Sequence, residues 1–534
     1  MRSECIPLAK IPHTTALYRD FLSHSPKVQN FYASSPGDLQ WRRAGANRND
    51  YPQERRLTVA AILERQNRAW DASPAALANI ERLRNGASVV VTGQQVTLFG
   101  GPLFSLLKAI TAIKLAREAS AAGHEHVPVF WMATEDHDFA EINHVSLPAS
   151  FSQLTTLSCD VDRVPDAPVG GLRFDSRIES VLSRVAEIVG DTEITEILRE
   201  SYAAGNTLSD AYARLFTRLM SQHGLILMDA SDSEFHAAGS RVFHDALKRH
   251  EELAGAIEER NRELERVGYH VQVNSAEGGT LLFLIDQGHR HAIRKTSAGF
   301  RAGGRQFTLA ELESEIKVHP EQFSANVLLR PVFQDYLLPT SAYIGGPAEI
   351  SYFAQADVVY RVVLGRTTPV LPRLSATLVE PRVQHWLERY RLPVSDVLIP
   401  ADELERRLGA QAMPIAIKQK LSSVGESLHR ELQEFEKTVG PLDPTLLPAL
   451  ERSGSKMLHQ MNRLRRLAAA AEVRKNADLK RHANSLSTML YPNGHLQERE
   501  IGGVHFLGRY GIQLIQQILD TVKTTCTDHQ VFYL

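Results

Sequence analysis

The sequence predicts an α/β protein with a doubly wound parallel core, inserted connecting segments and an α-helical antiparallel coiled-coil domain. Residues 87–143 read as a strand, a glycine-rich turn, a helix and a second strand. The order of strand, glycine turn and proline-led helix recurs at 340–347. From about residue 380 the sequence becomes charged and helix-favouring, with apolar residues at steps of three and four, which is typical of a coiled-coil seam.

The composition is that of an ordinary globular protein. The 534 residues suffice for two or three domains, and 43% of them are hydrophobic. A net charge of -2 gives no reason to expect a nucleic-acid partner. No run approaches the roughly 20 apolar residues of a membrane span and no signal-peptide pattern opens the chain, so we expect a cytoplasmic protein. Cys5, Cys159 and Cys526 form no CxxC pair, so the sequence supports neither a disulfide framework nor a zinc ribbon.

We expect four segments in chain order, of which the first, at 1–85, is helical and packs on the core, with its longest helix at 56–83. The core follows at 86–378, with α/β insertions at about 148–205 and 232–325. The coiled coil then occupies 379–491, and a last segment at 492–534 returns to the core.

The first strand–helix–strand unit gathers its polar residues at one end. Residues 88–92 are apolar and β-branched, as in a buried strand, and Gly93 stops them. A helix follows from Pro102, and the next apolar run, 127–133, leads into an acidic loop. Ligands of open parallel sheets bind outside the carboxyl ends of the strands, where helix N-termini attract anions. This end of the unit is therefore the predicted site.

The remaining core elements follow from the same patterns. They are a helix at 207–223, a strand at 225–228 that ends at Asp229, antiparallel strands at 270–274 and 281–295, a return to the sheet at 326–339, the unit at 340–347 with its helix, and a strand at 369–374.

Two antiparallel helices are the economical interpretation of the charged region. Apolar residues step along 417–439, residues 440–444 form a turn, and a second seam runs along 457–489, imperfect near Lys475. Neither helix is apolar over its whole circumference, and a second copy of the chain would cover apolar surface that an isolated pair leaves in contact with water. We therefore expect the pair at about 414–491 to form a homodimer.

The acidic loop is the strongest chemical signal. Glu135, Asp136, His137 and Asp138 follow a bulky apolar strand, where partial burial would shift their pKa values, and they are the predicted catalytic residues. His137 suits a general acid or base, and Asp136 or Asp138 could hold Mg²⁺. A solvated surface loop is the alternative interpretation.

The glycine turn supplies candidate binding residues. A turn of this kind also occurs for steric reasons alone, and Lys108 is either a surface lysine or a phosphate ligand. The candidates are Thr92, Gly93, Gln94, Gln95, Gly100, Gly101 and Lys108, together with Asn143, for which a structural role is the simpler interpretation.

Five motifs stand in one order along the chain: TGQQ at 92–95, GGPLFSLLKA at 100–109, PVFWMATEDHDFAEINH at 128–144, LPTSAYIGGPAEISYFAQ at 338–355 and DHQVFYL at 528–534. Together they resemble the BshC family, the cysteine-adding enzymes of bacillithiol biosynthesis. The resemblance implies a Rossmann-like core related to class I aminoacyl-tRNA synthetases and nucleotidyltransferases. It also implies a ligase that joins the carboxylate of L-cysteine to the amine of glucosaminyl-malate, with ATP and Mg²⁺ as the expected cofactors.

The same resemblance adds binding residues from the later motifs. They are Tyr343, Gly345, Gly346 and Glu349, and, in a degenerate KMSKS-type segment at 373–377, Arg373 and Ser375. The region of the HIGH-type motif has no histidine here. Two alternatives stay open: a nucleotidyltransferase or tRNA-synthetase-like enzyme that activates a different small acid, and a non-enzymatic coiled-coil scaffold, which would not need polar strand ends.

Overall fold

The computed structural model describes residues 1–44, 51–274 and 278–534. The predictions for 1–85 and 232–325 therefore include two short stretches, 45–50 and 275–277, that lie outside the described residues. The chain divides into two compact units. The first contains residues 1–147, 155–377 and 498–532, and the second contains 148–154, 378–497 and 533–534.

The N-terminal elements are β1 (Arg2–Ile6), α1 (Ala16–Leu22), α2 (Trp41–Ala44), α3 (Gln53–Ala69) and α4 (Pro74–Arg84). The single helix predicted for 56–83 is wrong. Asp71 has a φ of 57°, and Ser73 caps a new helix by accepting the Ala76 N–H, with Pro74 in its first turn. These residues end one helix and begin another.

The first part of the core alternates strands and helices as expected. Its elements are β2 (Ser88–Gln94), α5 (Leu103–Ala121), β3 (His126–Met132), α6 (Phe139–Ile142), β4 (His144–Ser150), β5 (Gln153–Ser158), α7 (Arg177–Val189), α8 (Glu193–Ser201), α9 (Leu208–Leu219) and β6 (Ile226–Asp229).

An insertion and the second part of the core follow. The elements are α10 (Ser233–Lys248), α11 (His250–Arg266), β7 (Gly279–Asp286), β8 (His289–Thr296), β9 (Gly299–Ala302), β10 (Arg305–Phe307), α12 (Leu309–Val318), β11 (Phe323–Ala325), α13 (Arg330–Leu337), β12 (Thr340–Gly345), α14 (Pro347–Leu364), β13 (Val370–Pro372) and β14 (Ala376–Val379).

Two strand predictions in this region are wrong. Residues 270–274 form no strand; the hairpin partner of β8 is β7. Residues 326–339 contain helix α13 instead of a returning strand, since Pro331 favours a first helical turn and Asn326 Oδ1 accepts the Leu328 and Leu329 N–H groups just before it. The insertion sheet is antiparallel, in the order β10-β9-β8-β7-β11.

The core sheet is parallel, with the order β13-β12-β2-β3-β6. Its faces alternate along β2: Val90 packs with residues of α5, whereas Val89 and Val91 pack into the larger core on the opposite face. The next core strand in the chain, β3, lies on one side of β2, and the later strand β12 lies on the other side. The predicted doubly wound core is confirmed, and its topological switch point lies between β2 and β12.

The second unit contains the long helices, and the chain then returns to the first unit. The elements are α15 (Pro381–Tyr390), α16 (Ala401–Ala412), α17 (Ile415–Leu442), α18 (Leu447–Lys475), α19 (Ala477–Leu490), α20 (Gln497–Glu500), α21 (Gly503–Tyr510), α22 (Leu514–Thr521) and β15 (His529–Tyr533). The second predicted coiled-coil helix is interrupted at Asn476, whose side chain caps α19 by accepting the Asp478 N–H.

Cys5 and Cys526 form a disulfide, which corrects the expectation from the sequence. They lie near the ends of β1 and β15, which are neighbours in a three-stranded sheet with β14, although 521 residues separate them in the chain. Within the described residues, no helix has the length and apolar character that a membrane crossing requires.

Candidate active site

A cavity of about 640 Å³ opens at the carboxyl ends of β2, β3 and β12. The switch point of an open parallel sheet is where ligands bind. The charged and histidine side chains that line the cavity are Lys108, Asp136, Glu141, His144, Arg330, Glu349, Arg373 and Arg499. The lining also includes Gly93, Gln94, Gln95, Trp131, Gln334, Tyr343, Gly346 and Tyr352.

Lys108 is buried at the base of the cavity, so the alternative of a surface lysine is wrong. Its Nζ donates to the Gly93 carbonyl at 2.8 Å and to Gln94 Oε1 at 2.9 Å, and it lies 2.5 Å from Glu349 Oε2. Burial lowers the pKa of Lys108, and the adjacent Glu349 carboxylate opposes this shift. These three acceptors occupy all three donors of an ammonium group.

Glu349 ties this lysine to the second proline-led helix. Its carboxylate accepts the Tyr343 hydroxyl at 2.5 Å and the Gly346 N–H at 2.7 Å, so it caps α14. A Cβ at Gly346 would lie 3.3 Å from Arg373 Nε, closer than side chains normally pack. The predicted residues Tyr343, Gly346 and Glu349 therefore come together with Lys108 in one network.

Arg373, which also lines the cavity, is held by the buried carboxylate of Glu498. Its Nη2 lies 2.6 Å from Glu498 Oε1, and Glu498 also accepts the Ala376 N–H at 2.7 Å. Burial opposes the charged form of Arg373, yet the Glu498 charge raises its pKa overall. Ser375 lies behind this pair and contacts Glu498 and His529 instead of the cavity.

The acidic loop divides into one cavity residue and three others. Asp136 lines the cavity and accepts the Gln95 amide at 3.0 Å; the same amide donates to Glu141. Burial raises the pKa of Asp136, but Arg330, the His137 N–H and Gln95 outweigh it, and the pKa is lowered overall. Asp136 is therefore a stable carboxylate at neutral pH.

The other loop residues point elsewhere. Glu135 is buried and pairs with His236 at 3.1 Å. His137 Nδ1 lies 3.2 Å from Arg290 Nη1, and Asp138 is exposed at the start of α6. None of these three side chains lines the cavity. Their catalytic assignment stays a prediction.

Comparison with known proteins identifies the family. Residues 1–374 match the model described as Bacillithiol biosynthesis BshC, N-terminal Rossmann-like domain. Residues 376–534 match the model described as Bacillithiol biosynthesis BshC, C-terminal coiled-coil domain. The chain belongs to the BshC family.

Relatives named "Putative cysteine ligase BshC" cover nearly the whole chain. The protein of Koribacter versatilis is 44% identical over 99% of both chains. That of Solibacter usitatus is 34% identical over 99% of both, and that of Salinibacter ruber is 34% identical over 96% of this chain and 95% of its own. The Rossmann-like fold, the C-terminal coiled-coil domain and an enzyme of the ligase class are thus confirmed.

Several predicted binding residues of this BshC chain support the cavity without lining it. Thr92 donates its hydroxyl to the Ile344 carbonyl at 3.0 Å and so joins two strands. Gly101 has a φ of 69°, and a Cβ there would lie 2.8 Å from Thr97 Cβ. Gly100, Gly345 and Asn143 are likewise outside the lining, and the Asn143 side chain contacts His144.

Other cavity residues were missed from the sequence. Arg330 and Gln334 lie on α13, which had been predicted as a strand, so their place near the site could not be found. His144 ends the motif at 128–144, where a structural role is its simpler interpretation, yet it lines the cavity. Glu141 and Tyr352 lie inside the motifs at 128–144 and 338–355 without being singled out there, and Arg499 lies outside every quoted motif.

The described residues contain no group of three or more His, Cys, Asp and Glu side chains placed to hold a metal ion. Of the two predicted Mg²⁺ ligands, Asp136 lines the cavity and Asp138 does not. A magnesium ion that arrives with a nucleotide needs only one or two protein carboxylates, and Asp136 with Glu141 fits that requirement.

Proposed function

We propose that this chain joins the carboxylate of L-cysteine to the amine of glucosaminyl-malate and so forms bacillithiol. The observation that carries the proposal is the 44% identity, over 99% of both chains, to a protein that bears the name of a cysteine ligase. The cavity supports it, because it holds both cationic and anionic side chains at a switch point. Substrates with carboxylates and an amine require both signs of charge.

ATP with Mg²⁺ is the proposed energy source. An amide does not form from a free carboxylate at neutral pH, so the carboxylate must first be activated. Support comes from the starts of two helices, since Pro102 precedes α5 and Pro347 begins α14 at the cavity wall. Glu141 would hold the Mg²⁺, which neutralises phosphate charge when it is bound.

The decisive experiment incubates purified protein with L-cysteine, glucosaminyl-malate, ATP and Mg²⁺. Mass spectrometry should detect the cysteinyl amide, and L-serine should be a poor replacement. AMP would indicate an acyl adenylate, and ADP an acyl phosphate. Product formed without nucleotide would refute ATP activation but leave the cysteine-ligase proposal in place, and no product with any nucleotide would overturn it.

A second candidate is an enzyme of nucleotidyltransferase or tRNA-synthetase type that activates a different small acid. The Rossmann-like domain favours it as a class, since that fold serves many reactions. Pyrophosphate exchange into ATP across a set of amino and hydroxy acids would separate the two. Exchange that depends on an acid other than cysteine would favour this alternative.

A further inference from the structure

The charged side chains of the cavity fall into two groups. In the first group, each cation already has its own carboxylate: Lys108 lies 2.5 Å from Glu349, and Arg373 lies 2.6 Å from Glu498. These pairs are buried and rigidly held by further hydrogen bonds. Their charges are compensated inside the protein, so they contribute shape more than binding capacity.

The second group consists of two cations and two carboxylates that do not pair with each other. They are Arg330, Arg499, Asp136 and Glu141. Across residues 1–44, 51–274 and 278–534, no lysine or arginine forms an ion pair with Asp136 or Glu141, and no carboxylate forms one with Arg330 or Arg499. Opposite charges thus line one cavity without neutralising each other directly.

Arg330 is the more confined of these two cations. It is partly buried at the start of α13, whereas Arg499 is exposed. Arg330, Tyr352 and Asp136 line the same cavity, and the guanidinium has five donors that it can offer to a ligand there.

We propose that Arg330 and Asp136 form a subsite for the acceptor substrate, in which Arg330 binds a carboxylate and Asp136 binds the ammonium group of the same molecule. The inference rests on the proposed function and names the substrate that this part of the cavity holds. The planar guanidinium matches a carboxylate through two parallel hydrogen bonds. A ligand that carries both charges would neutralise both protein groups at once.

The acceptor fits this subsite better than cysteine does. The cysteine carboxylate loses its negative charge when it is activated, so a fixed cation on it would stabilise the unreacted form. The malate carboxylates of the acceptor keep their charge through the whole reaction. A permanent arginine contact therefore holds the malate part of the acceptor equally well before and after amide formation. The Asp136 contact differs, because it holds the ammonium when the acceptor binds and ends when the amine loses its proton to react.

Asp136 is placed to bind a cation. Its carboxylate lines the cavity and is held there by the Gln95 amide at 3.0 Å and by the His137 N–H at 2.9 Å. These two donors fix the carboxylate without neutralising its charge, which leaves that charge for an ammonium.

Isothermal titration calorimetry with glucosaminyl-malate, without cysteine, nucleotide or metal, tests the subsite. Arg330→Gln should raise the Kd about 10-fold or more, and Arg330→Lys should fall between that variant and wild type, because it keeps the charge without the paired donors. Asp136→Asn should also raise the Kd. Arg301→Gln, on an exposed position of β9 outside the cavity, is the matched control and should bind as wild type does.

Two fragments of the acceptor show which of its charged groups each of the two residues binds. The affinity of each fragment is measured by competition against glucosaminyl-malate. Methyl glucosaminide has the amine but no carboxylate, so its affinity should respond to Asp136→Asn and not to Arg330→Gln. Malate alone should show the opposite response. If Arg330→Gln weakens both fragments equally, or leaves glucosaminyl-malate binding unchanged, the subsite is overturned. If Asp136→Asn changes only the Mg²⁺ requirement of the reaction, the Asp136 half is overturned.

These titrations separate the subsite from the ligase reaction. Binding that depends on Arg330, in a protein that makes no amide, would overturn the ligase proposal alone. An active ligase in which Arg330→Gln leaves the acceptor KM unchanged, or raises the cysteine KM instead, would overturn the subsite alone.

Discussion

Glu135 forms a buried ion pair with His236, and it directly precedes the cavity residue Asp136 in the chain. Glu135 Oε1 lies 3.1 Å from His236 Nε2, and that nitrogen is shared with the Ala230 carbonyl at 3.1 Å. His236 Nδ1 lies 3.2 Å from the Pro320 carbonyl. Carbonyl oxygens only accept hydrogen bonds, so both ring nitrogens carry protons and His236 is an imidazolium. The pair anchors the loop that carries Asp136.

Replacement of His236 should cost stability in a pH-dependent way. Burial lowers the pKa of His236, but Glu135 and the two carbonyls outweigh it and raise the pKa above 6.5. The stabilisation is therefore fully present below the unfolded pKa and is lost as pH rises through the folded pKa. His236→Gln should lower the free energy of unfolding by about 3 kcal/mol at pH 6 and by less at pH 9, as measured by urea denaturation. An equal loss at both pH values would contradict the imidazolium assignment.

The acidic loop should respond unevenly to substitution. Asp136→Asn removes the loop carboxylate that lines the cavity, and we expect kcat/KM in the ligase assay to fall by about 100-fold. Asp138→Asn changes an exposed side chain and should have the smallest effect, with His137→Ala between them. Steady-state kinetics on folded variants provides the measurement. A larger loss for Asp138→Asn than for Asp136→Asn would contradict this order and would show that the exposed part of the loop acts in the reaction.

The sequence predicted the strand ends of the core well because they are local features. Val89, Val90 and Val91 identify β2 by their β-branched run, and the glycine turn and Pro102 place a helix directly after it. These signals need only neighbouring residues. The parallel sheet then brings Gln95 and Asp136 together without further information, because consecutive strands lie side by side.

Contacts between distant residues could not be predicted. Arg373 and Glu498 are 125 residues apart, and Cys5 and Cys526 are 521 apart, so neither pair leaves a pattern in the sequence. Arg330 was missed for another reason. The apolar run around it fits a buried strand as well as a short helix, and periodicity does not separate the two over so few residues.

The chemistry should not need cysteine side chains of the enzyme. None of Cys5, Cys159 and Cys526 lines the cavity. Burial raises the pKa of Cys159 to about 11, so its thiol is a poor nucleophile at neutral pH. A variant with all three replaced by serine should keep kcat within about twofold when assayed near pH 7.5 at a temperature where it stays folded. Loss of product with retained acceptor binding would instead indicate a covalent thioester step.

The helical pair of the second unit presents apolar side chains to solvent. On α17, Ile417, Val424 and Phe435 are 41%, 40% and 55% exposed, and they are spaced 7 and 11 residues apart, so they share one side of the helix. On α18, Met457 and Leu464 are about half exposed and are also 7 residues apart. By contrast, Leu421 and Leu428 are partly buried.

We expect these exposed side chains to form the homodimer contact that the sequence predicted. Val424→Glu with Phe435→Glu places two charges on the solvent-facing side and should convert a dimer to a monomer, because like charges would meet across a two-fold axis. Leu421→Glu with Leu428→Glu is the informative comparison, since it should destabilise the helical pair itself and lower its melting temperature. Light scattering at micromolar concentration measures the mass of each variant, and circular dichroism measures its helix content. A Val424→Glu, Phe435→Glu variant that stays dimeric with unchanged helix content would show that the copies meet through another surface.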